Sequence, residues 1–139
     1  MTSSLHHSVL LVDDDFAVAS MYALGLQHAG MSVTTAANGR AALAAIGREV
    51  PEIAIVDWNL PGMSGNDLLW LLRRDVRTMR LPVVFLSVYE PDEERALTLR
   101  ADDRSEWLMK TRTTPRQLAA HVLTTLNEVA ALRTPEAIA

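Results

Sequence analysis

Short runs of apolar residues alternate along the chain with longer segments in which apolar residues recur at helical spacing. The short runs are apolar throughout instead of alternating with polar residues, a pattern typical of parallel strands buried on both faces. The predicted strands are 8–13, 31–36, 52–57, 81–88 and 106–110. Each of them is followed by a segment that predicts a helix.

Capping signals delimit the predicted helices, which are 16–30, 39–49, 64–76, 91–103 and a last helix from 115 onward. Gly30 ends the first helix, and Asn38 can cap the second. Ser64 and Thr114 each begin a capping-box pattern before the third and fifth helices. Pro91, followed by acidic residues, predicts the first turn of the fourth helix.

Strands that alternate with helices predict an α/β fold, a doubly wound parallel sheet of five strands with helices on both faces. Such sheets bind ligands outside the carboxyl ends of their strands. We predict one domain over 1–139, with its core at about 8–133 and loose termini at 1–7 and 134–139.

The composition of the chain excludes several classes of protein. The chain has 139 residues, 49% of them hydrophobic, which is enough for one domain with its own core. A formal net charge of −4 argues against a general nucleic-acid surface. The absence of cysteine excludes disulfides, thiol nucleophiles and cysteine-bound metals. No apolar run is long enough to span a membrane, so we predict a cytoplasmic protein without membrane insertion.

Polar residues stand at the predicted strand ends. The first strand ends in the acidic triplet Asp13, Asp14 and Asp15, the third in Asp57, the fourth in Ser87 and the fifth in Lys110. Any one of them alone is more simply a turn, a packed hydroxyl or a surface charge. In a parallel sheet, however, all of these ends meet at one edge. We therefore expect the acids, the hydroxyl and the ammonium to converge on one pocket.

Carboxylates that lie close together repel, and the pKa of at least one of them rises unless a cation compensates. A small, hard cation such as Mg²⁺ fits a site of carboxylates and water. Mg²⁺ beside Asp57, with Lys110 and Ser87 opposite, suits the transfer of a phosphoryl group onto Asp57.

The motifs LLVDDD and VDWNLPGMSG resemble those of receiver domains of two-component response regulators, and the resemblance extends over about 8–133. It implies a flavodoxin-like sheet with strand order 2-1-3-4-5. It also implies that a sensor histidine kinase or a phosphotransfer protein phosphorylates Asp57. Such a domain takes part in its own phosphorylation and dephosphorylation but is not a conventional enzyme.

The same resemblance implies roles for individual residues. Asp14 would ligate Mg²⁺ directly and Asp13 mainly through water, together with Asp57 and the backbone carbonyl of Asn59. Ser87 would hydrogen-bond the phosphoryl group that Asp57 accepts. Lys110, the match to the family lysine, would pair with that group as well.

The resemblance further implies a switch. Phosphorylation would pull Ser87 toward Asp57, and Trp107 would then pack inward and reshape the face of helix four, strand five and helix five. An unknown downstream protein, or a second copy in a dimer, would bind this face. Asn59 and Tyr89 flank the pocket, and Tyr89 is predicted to shield the acyl phosphate from water.

Three positions depart from the family pattern. Thr111 follows Lys110 where proline is usual, so a trans peptide bond is expected there. Ser64 replaces an aspartate, which we expect to affect only the helix cap. Asp103 replaces a glycine, so the end of the fourth helix is expected to be irregular.

Other functions remain open at this point. The main alternative is a receiver-like interaction module that is not phosphorylated in practice, because Thr111 alters the loop of Lys110. An aspartate-nucleophile phosphatase fits poorly, since Phe16 and Ala17 do not continue its motif. A flavodoxin-like nucleotide binder fits poorly too, because acidic residues would repel phosphate. No helix-turn-helix pattern follows the last helix, so no direct nucleic-acid contact is expected.

Overall fold

A parallel sheet forms the centre of the protein in a computed structural model that describes residues 6–133. Its strands are β1 Ser8–Val12, β2 Ser32–Ala36, β3 Ile53–Asp57, β4 Val83–Ser87 and β5 Ser105–Met109. Their order is β2-β1-β3-β4-β5, and every pairing is parallel. This confirms the predicted fold class and strand order.

Helices cover both faces of the sheet. They are α1 Phe16–His28, α2 Gly39–Arg48, α3 Gly65–Arg73, α4 Glu93–Ala101 and α5 Pro115–Arg133, with a short 3₁₀ helix at Lys110–Arg112. Buried side chains of α1 and α5 pack on one face. Those of α2 and α3 pack on the other, where α4 contributes the half-buried Leu99. Two hydrophobic layers therefore enclose the sheet.

Burial along the strands follows their position in the sheet. All residues of β3 and β4 are buried, as the uniformly apolar pattern predicted. β5 lies at the edge and has no fully buried residue. Because β3 is central and packed on both sides, it fixes the backbone of its last residue, Asp57.

Several helix boundaries differ from the prediction. α1 ends at His28, two residues before the Gly30 that was expected to end it. α3 ends at Arg73 instead of 76, because the Arg73 guanidinium donates to the carbonyl of Thr78 at 3.1 Å and the chain turns there. α4 begins at Glu93, and Asp92 caps it by accepting from the amide of Arg95 at 2.9 Å. Pro91 therefore precedes the cap and is not in the first turn.

The approach to β5 is irregular, in agreement with the prediction. α4 ends at Ala101 instead of 103, and Asp102 follows as its C-cap. Arg73 of α3 forms two hydrogen bonds to the Asp102 carboxylate, at 2.6 and 3.3 Å, and a third to the carbonyl of Arg104 at 3.4 Å. This half-buried ion pair ties the turn before β5 to the end of α3.

The prediction of loose termini can be compared with the structure only in part. Most of the termini that were predicted to be loose, residues 1–5 and 134–139, lie outside the described residues. Within the described range, no helix combines the length and the apolar character that crossing a membrane requires.

Candidate functional site

Asp13 follows β1 at the carboxyl edge of the sheet and is 5% exposed. Its Oδ1 accepts a hydrogen bond from the amide of Asp15 at 2.9 Å. The Asp15 side chain caps α1 by accepting from the amide of Val18 at 3.1 Å. The acidic triplet is thus divided: Asp13 and Asp14 belong to the site, and Asp15 starts the helix.

Asp57 ends β3 beside Asp13 and is 9% exposed. Its Oδ1 accepts a hydrogen bond from the amide of Asn59 at 3.1 Å, which orients the carboxylate. Its other oxygen, Oδ2, faces the ammonium of Lys110. The structure therefore brings the predicted nucleophile to the expected edge with one oxygen directed at a cation.

Lys110 lies directly after β5, at the start of the 3₁₀ helix. Its Nζ donates to Oδ2 of Asp13 at 2.8 Å and to Oδ2 of Asp57 at 3.3 Å. Lys110 is the only lysine in the sequence. All the other residues in the combined count of lysine and arginine are arginines. A compact ammonium can bridge two carboxylates from one point, which a planar guanidinium does less readily.

The Lys110 ammonium offsets only part of the negative charge of this cluster. Burial raises the pKa of Asp57, and Asp13 raises it further, against the opposing effects of Lys110 and of the Asn59 amide. Burial by itself would lower the pKa of Lys110, but its contacts with Asp13 and Asp57 outweigh burial and raise it. Lys110 therefore stays charged at neutral pH.

The acids at this edge have the arrangement of a cation site. Asp13, Asp14 and Asp57 each offer a carboxylate oxygen, and these oxygens lie within 4.8 Å of one another. They are hard anionic ligands at a partly open edge, which fits Mg²⁺ with several retained waters. The hydrogen bonds of residues 6–133 include none to the Asn59 carbonyl, and its role as a further ligand stays a prediction.

Ser87 ends β4 and is 1% exposed. It directly follows Leu86, the register partner of Asp57, so its hydroxyl is on the strand next to the carboxylate. Its Oγ accepts from the amide of Tyr89 at 3.1 Å. Ser87 is thus at the predicted edge, with its hydroxyl engaged by the loop that follows β4.

Trp107 of β5 is half-buried and bonded to that same loop. Its indole Nε1 donates to the carbonyl of Tyr89 at 3.0 Å. Its ring lies 5.2 Å from the ring of Trp58 and 6.1 Å from that of Phe85, centroid to centroid. The guanidinium of Arg95 lies over Trp58 and Trp107, at 5.1 and 6.0 Å from their ring centroids.

Two predicted flanking residues lie at the surface. Tyr89 is 63% exposed, and Asn59 is exposed as well. The proposed shielding by Tyr89 therefore stays a prediction.

The described peptide bonds include no cis bond, which confirms the trans bond expected between Lys110 and Thr111.

Sequence reasoning missed two contributors. Tyr22 of α1 appeared only as an apolar position at helical spacing, yet its hydroxyl bonds to the segment that carries Lys110. Arg95 appeared as an ordinary residue of α4, yet it covers the aromatic cluster next to Asp57. A tyrosine at a fully buried helical position is the one signal that could have drawn attention to Tyr22.

We expect Mg²⁺ to raise the free energy of unfolding, because it relieves repulsion among the acids only in the folded state. At a hundredfold excess over Kd the gain is ~2.7 kcal/mol. Asp14→Asn should lose most of this gain in a thermal melt. Asp15→Asn is the matched control, since Asn caps a helix as well as Asp does. Equal Mg²⁺ stabilisation in the Asp14→Asn and Asp15→Asn variants would contradict the metal site.

Comparison with known proteins places this geometry in context. The family model described as "Response regulator receiver domain" matches residues 9–123. The probable transcriptional regulatory protein TcrX of Mycobacterium tuberculosis is 39% identical over 98 residues, which are 69% of this chain and 41% of TcrX. The phosphate regulon transcriptional regulatory protein PhoB of Pseudomonas aeruginosa is 35% identical over 98 residues, 69% of this chain and 43% of PhoB.

Solved structures agree with this assignment. The chemotaxis response regulator CheY4 of Vibrio cholerae superposes with a TM-score of 0.77 at 30% identity, over 86% of this chain and 98% of that one. The chain spans less than half the length of TcrX and of the Pseudomonas PhoB.

Proposed function

This chain belongs to the response regulator receiver domain family of two-component signalling, and we propose that Asp57 is the residue on which it accepts a phosphoryl group. One observation carries the proposal: the only lysine of the chain bridges Asp57 and Asp13 at the edge where three carboxylates converge. The chain is then a phosphoacceptor that takes part in its own phosphorylation, not a conventional enzyme.

In the proposed reaction, a carboxylate oxygen of Asp57 attacks the phosphorus of a phosphohistidine. The new P–O bond forms as the P–N bond to the donor imidazole breaks, and the imidazole keeps the electron pair of that bond. The Lys110 ammonium and the Ser87 hydroxyl donate hydrogen bonds to the phosphoryl oxygens, which carry more charge in the transition state.

Asp13, Asp14, Asp57 and the carbonyl of Asn59 would hold Mg²⁺ in this proposal. Bound there, the cation supplies charge neutralisation for the phosphoryl oxygens. Asp13 has two functions, since it also accepts the hydrogen bond from Lys110 and so keeps the ammonium beside Asp57.

In this proposal, the backbone of Tyr89 couples Ser87 in the site to Trp107 on β5. Its amide donates to Ser87 and its carbonyl accepts from Trp107, so the two proposed switch residues share one loop residue. When Ser87 turns to the phosphoryl group, it gives up its bond to the Tyr89 amide, and the Trp107 contact shifts with the loop. The face of α4, β5 and α5 then changes shape for a downstream protein or a second copy.

The partners follow from the chemistry. A sensor histidine kinase or a phosphotransfer protein would supply the phosphoryl group, and the reaction would take place in the cytoplasm. We propose that residues 1–139 form a single receiver domain with its core at about 8–133. The relatives TcrX and PhoB are described as transcriptional regulatory proteins, which suggests gene regulation as the process this receiver serves.

Incubation of the protein with Mg²⁺ and acetyl phosphate tests the proposal. We expect a mass increase of one phosphoryl group that requires Mg²⁺ and disappears at alkaline pH, where acyl phosphates hydrolyse. No adduct with acetyl phosphate, or with a panel of phosphorylated histidine kinases, would support the alternative of an interaction module that is not phosphorylated.

Tyr89→Ala is expected to shorten the lifetime of the phosphorylated form about threefold, a barrier change of ~0.7 kcal/mol, because a ring that limits water access is removed. The measurement is the decay of the phosphoryl adduct after the donor is removed. Tyr89→Phe keeps the ring and should decay at the wild-type rate. Equal decay of the Ala variant and the wild type would dismiss the shielding role.

A further inference from the structure

We propose that Tyr22 is a positioning residue for Lys110, a role that rests on the function proposed for Asp57. Tyr22 is on the inner face of α1 and is 2% exposed. Its hydroxyl donates to the carbonyl of Thr113 at 2.8 Å and lies 3.5 Å from the carbonyl of Lys110 itself. One buried hydroxyl thus contacts both ends of the turn that carries the lysine.

Apart from the bonds of Lys110 itself, the side chains of the turn make one exposed ion pair, between Arg112 and Glu90 at 3.7 Å. The 3₁₀ helix Lys110–Arg112 has no side-chain cap, and Thr111 and Arg112 are exposed. A helix end leaves carbonyl groups without intrahelical partners, and these need donors from elsewhere. The Tyr22 hydroxyl is such a donor for Thr113. Burial raises the pKa of Tyr22, so the hydroxyl keeps its proton at neutral pH.

A second contact of α1 helps to position the segment that follows Lys110. A Cβ built at Gly25 would lie 2.5 Å from the Cβ of Pro115, the first residue of α5. Helix α1 therefore approaches the start of α5 as closely as a glycine allows. The segment from Lys110 to Pro115 rests on α1 through the Tyr22 hydroxyl at one end and through Gly25 at the other.

These contacts with α1 position the backbone of Lys110 and therefore its ammonium group. Nζ of Lys110 is 2.8 Å from Asp13 and 3.3 Å from Asp57, and both bonds depend on where the lysine backbone stands. A displacement on the order of 1 Å in a group that stabilises a transition state can cost up to about a hundredfold in rate. Loss of the Tyr22 hydroxyl would allow such a displacement of Lys110.

The simpler alternative is that Tyr22 is only a core residue, whose ring fills space between α1 and the sheet. Under that alternative Tyr22→Phe would cost stability without a specific effect on Lys110. Thr78→Val is the matched control. The Thr78 hydroxyl is also buried, and it donates to the backbone carbonyl of Leu72 at 2.7 Å. This bond lies at the opposite edge of the sheet from the carboxylates.

The unique lysine permits a direct measurement. Selective ¹³C labelling of lysine gives one side-chain signal, that of Lys110. We expect Tyr22→Phe to increase the mobility of the Lys110 Cε, seen in its NMR relaxation, and to lower the initial rate of phosphorylation by acetyl phosphate about tenfold. Thr78→Val should change neither. In a Lys110→Gln background, Tyr22→Phe should cause no further loss of rate.

The possible failures can be told apart. A Lys110 signal and a rate in Tyr22→Phe equal to those in Thr78→Val would overturn the positioning role. A further rate loss in the Lys110→Gln background would overturn it as well, since the effect would not pass through the lysine. If the wild type accepts no phosphoryl group, the proposed function fails, while the Lys110 signal still tests the role of Tyr22 on folded protein.

Discussion

Replacing Asp57 with Asn is expected to abolish phosphoryl incorporation and, at the same time, to raise the free energy of unfolding. Asn lacks the anionic oxygen that attacks phosphorus, so the reaction has no nucleophile. Its side-chain oxygen can still accept the amide hydrogen bond that Asn59 makes to Asp57. The local fold should therefore remain, and the loss of incorporation should not reflect unfolding.

The expected gain in stability follows from the sign of the pKa shift. Burial, with the charge of Asp13, raises the pKa of Asp57 in the folded state. The folded protein therefore binds this proton more tightly than the unfolded chain does. Stability falls as pH rises from the ordinary pKa of aspartate through the raised value, and it stays lower at neutral pH. Asn carries no charge, so it avoids this cost.

A thermal melt in the absence of Mg²⁺, together with a mass measurement after incubation with acetyl phosphate, checks both parts. Asp103→Asn is a suitable control, because Asp103 is exposed in the turn before β5 and far from the pocket. It should phosphorylate and melt like the wild type. An Asp57→Asn protein that still gains a phosphoryl group would exclude Asp57 as the acceptor.

Lys110→Arg is expected to lower the phosphorylation rate about a hundredfold, even though the positive charge is kept. Removing a single preorganised donor to a developing anion costs about this much in enzymes. The guanidinium is larger and planar, and it cannot occupy the point from which Nζ reaches Asp13 at 2.8 Å and Asp57 at 3.3 Å.

Initial rates with acetyl phosphate at saturating Mg²⁺ measure this effect. Lys110→Gln, which removes the charge as well, should be at least as slow as the Arg variant. Arg112→Lys, two residues later on the exposed side of the turn, is the control for a change of cation type and should keep the wild-type rate. A Lys110→Arg protein with the wild-type rate would show that charge alone is sufficient.

The fold and the core of the site could be predicted because both depend on short-range sequence patterns. Uniformly apolar runs identified the central strands, and parallel topology then brings their carboxyl ends together. Asp13, Asp57 and Lys110 met at that edge for this reason alone. Their contact requires only that each residue be the last of its strand, as Asp57 is, or follow its strand directly, as Asp13 and Lys110 do.

The features that escaped prediction depend on side chains from distant segments. α3 stops at Arg73 because that side chain bonds forward to Thr78 and across to Asp102. No local propensity encodes either bond. The same holds for Tyr22, whose ring fits a helical apolar pattern while its hydroxyl bonds to a carbonyl that lies 91 positions later in the sequence.

The central claim is that Asp57 carries the phosphoryl group, and reduction of the phosphorylated protein with borohydride tests it most directly. This reagent converts an aspartyl phosphate to homoserine, which marks the modified residue permanently. Peptide mass sequencing of the wild type, phosphorylated with acetyl phosphate and Mg²⁺, should find homoserine at position 57 and aspartate at 13, 14 and 67. Homoserine at another of these positions, or at none of them in protein that carries the adduct, would contradict the account.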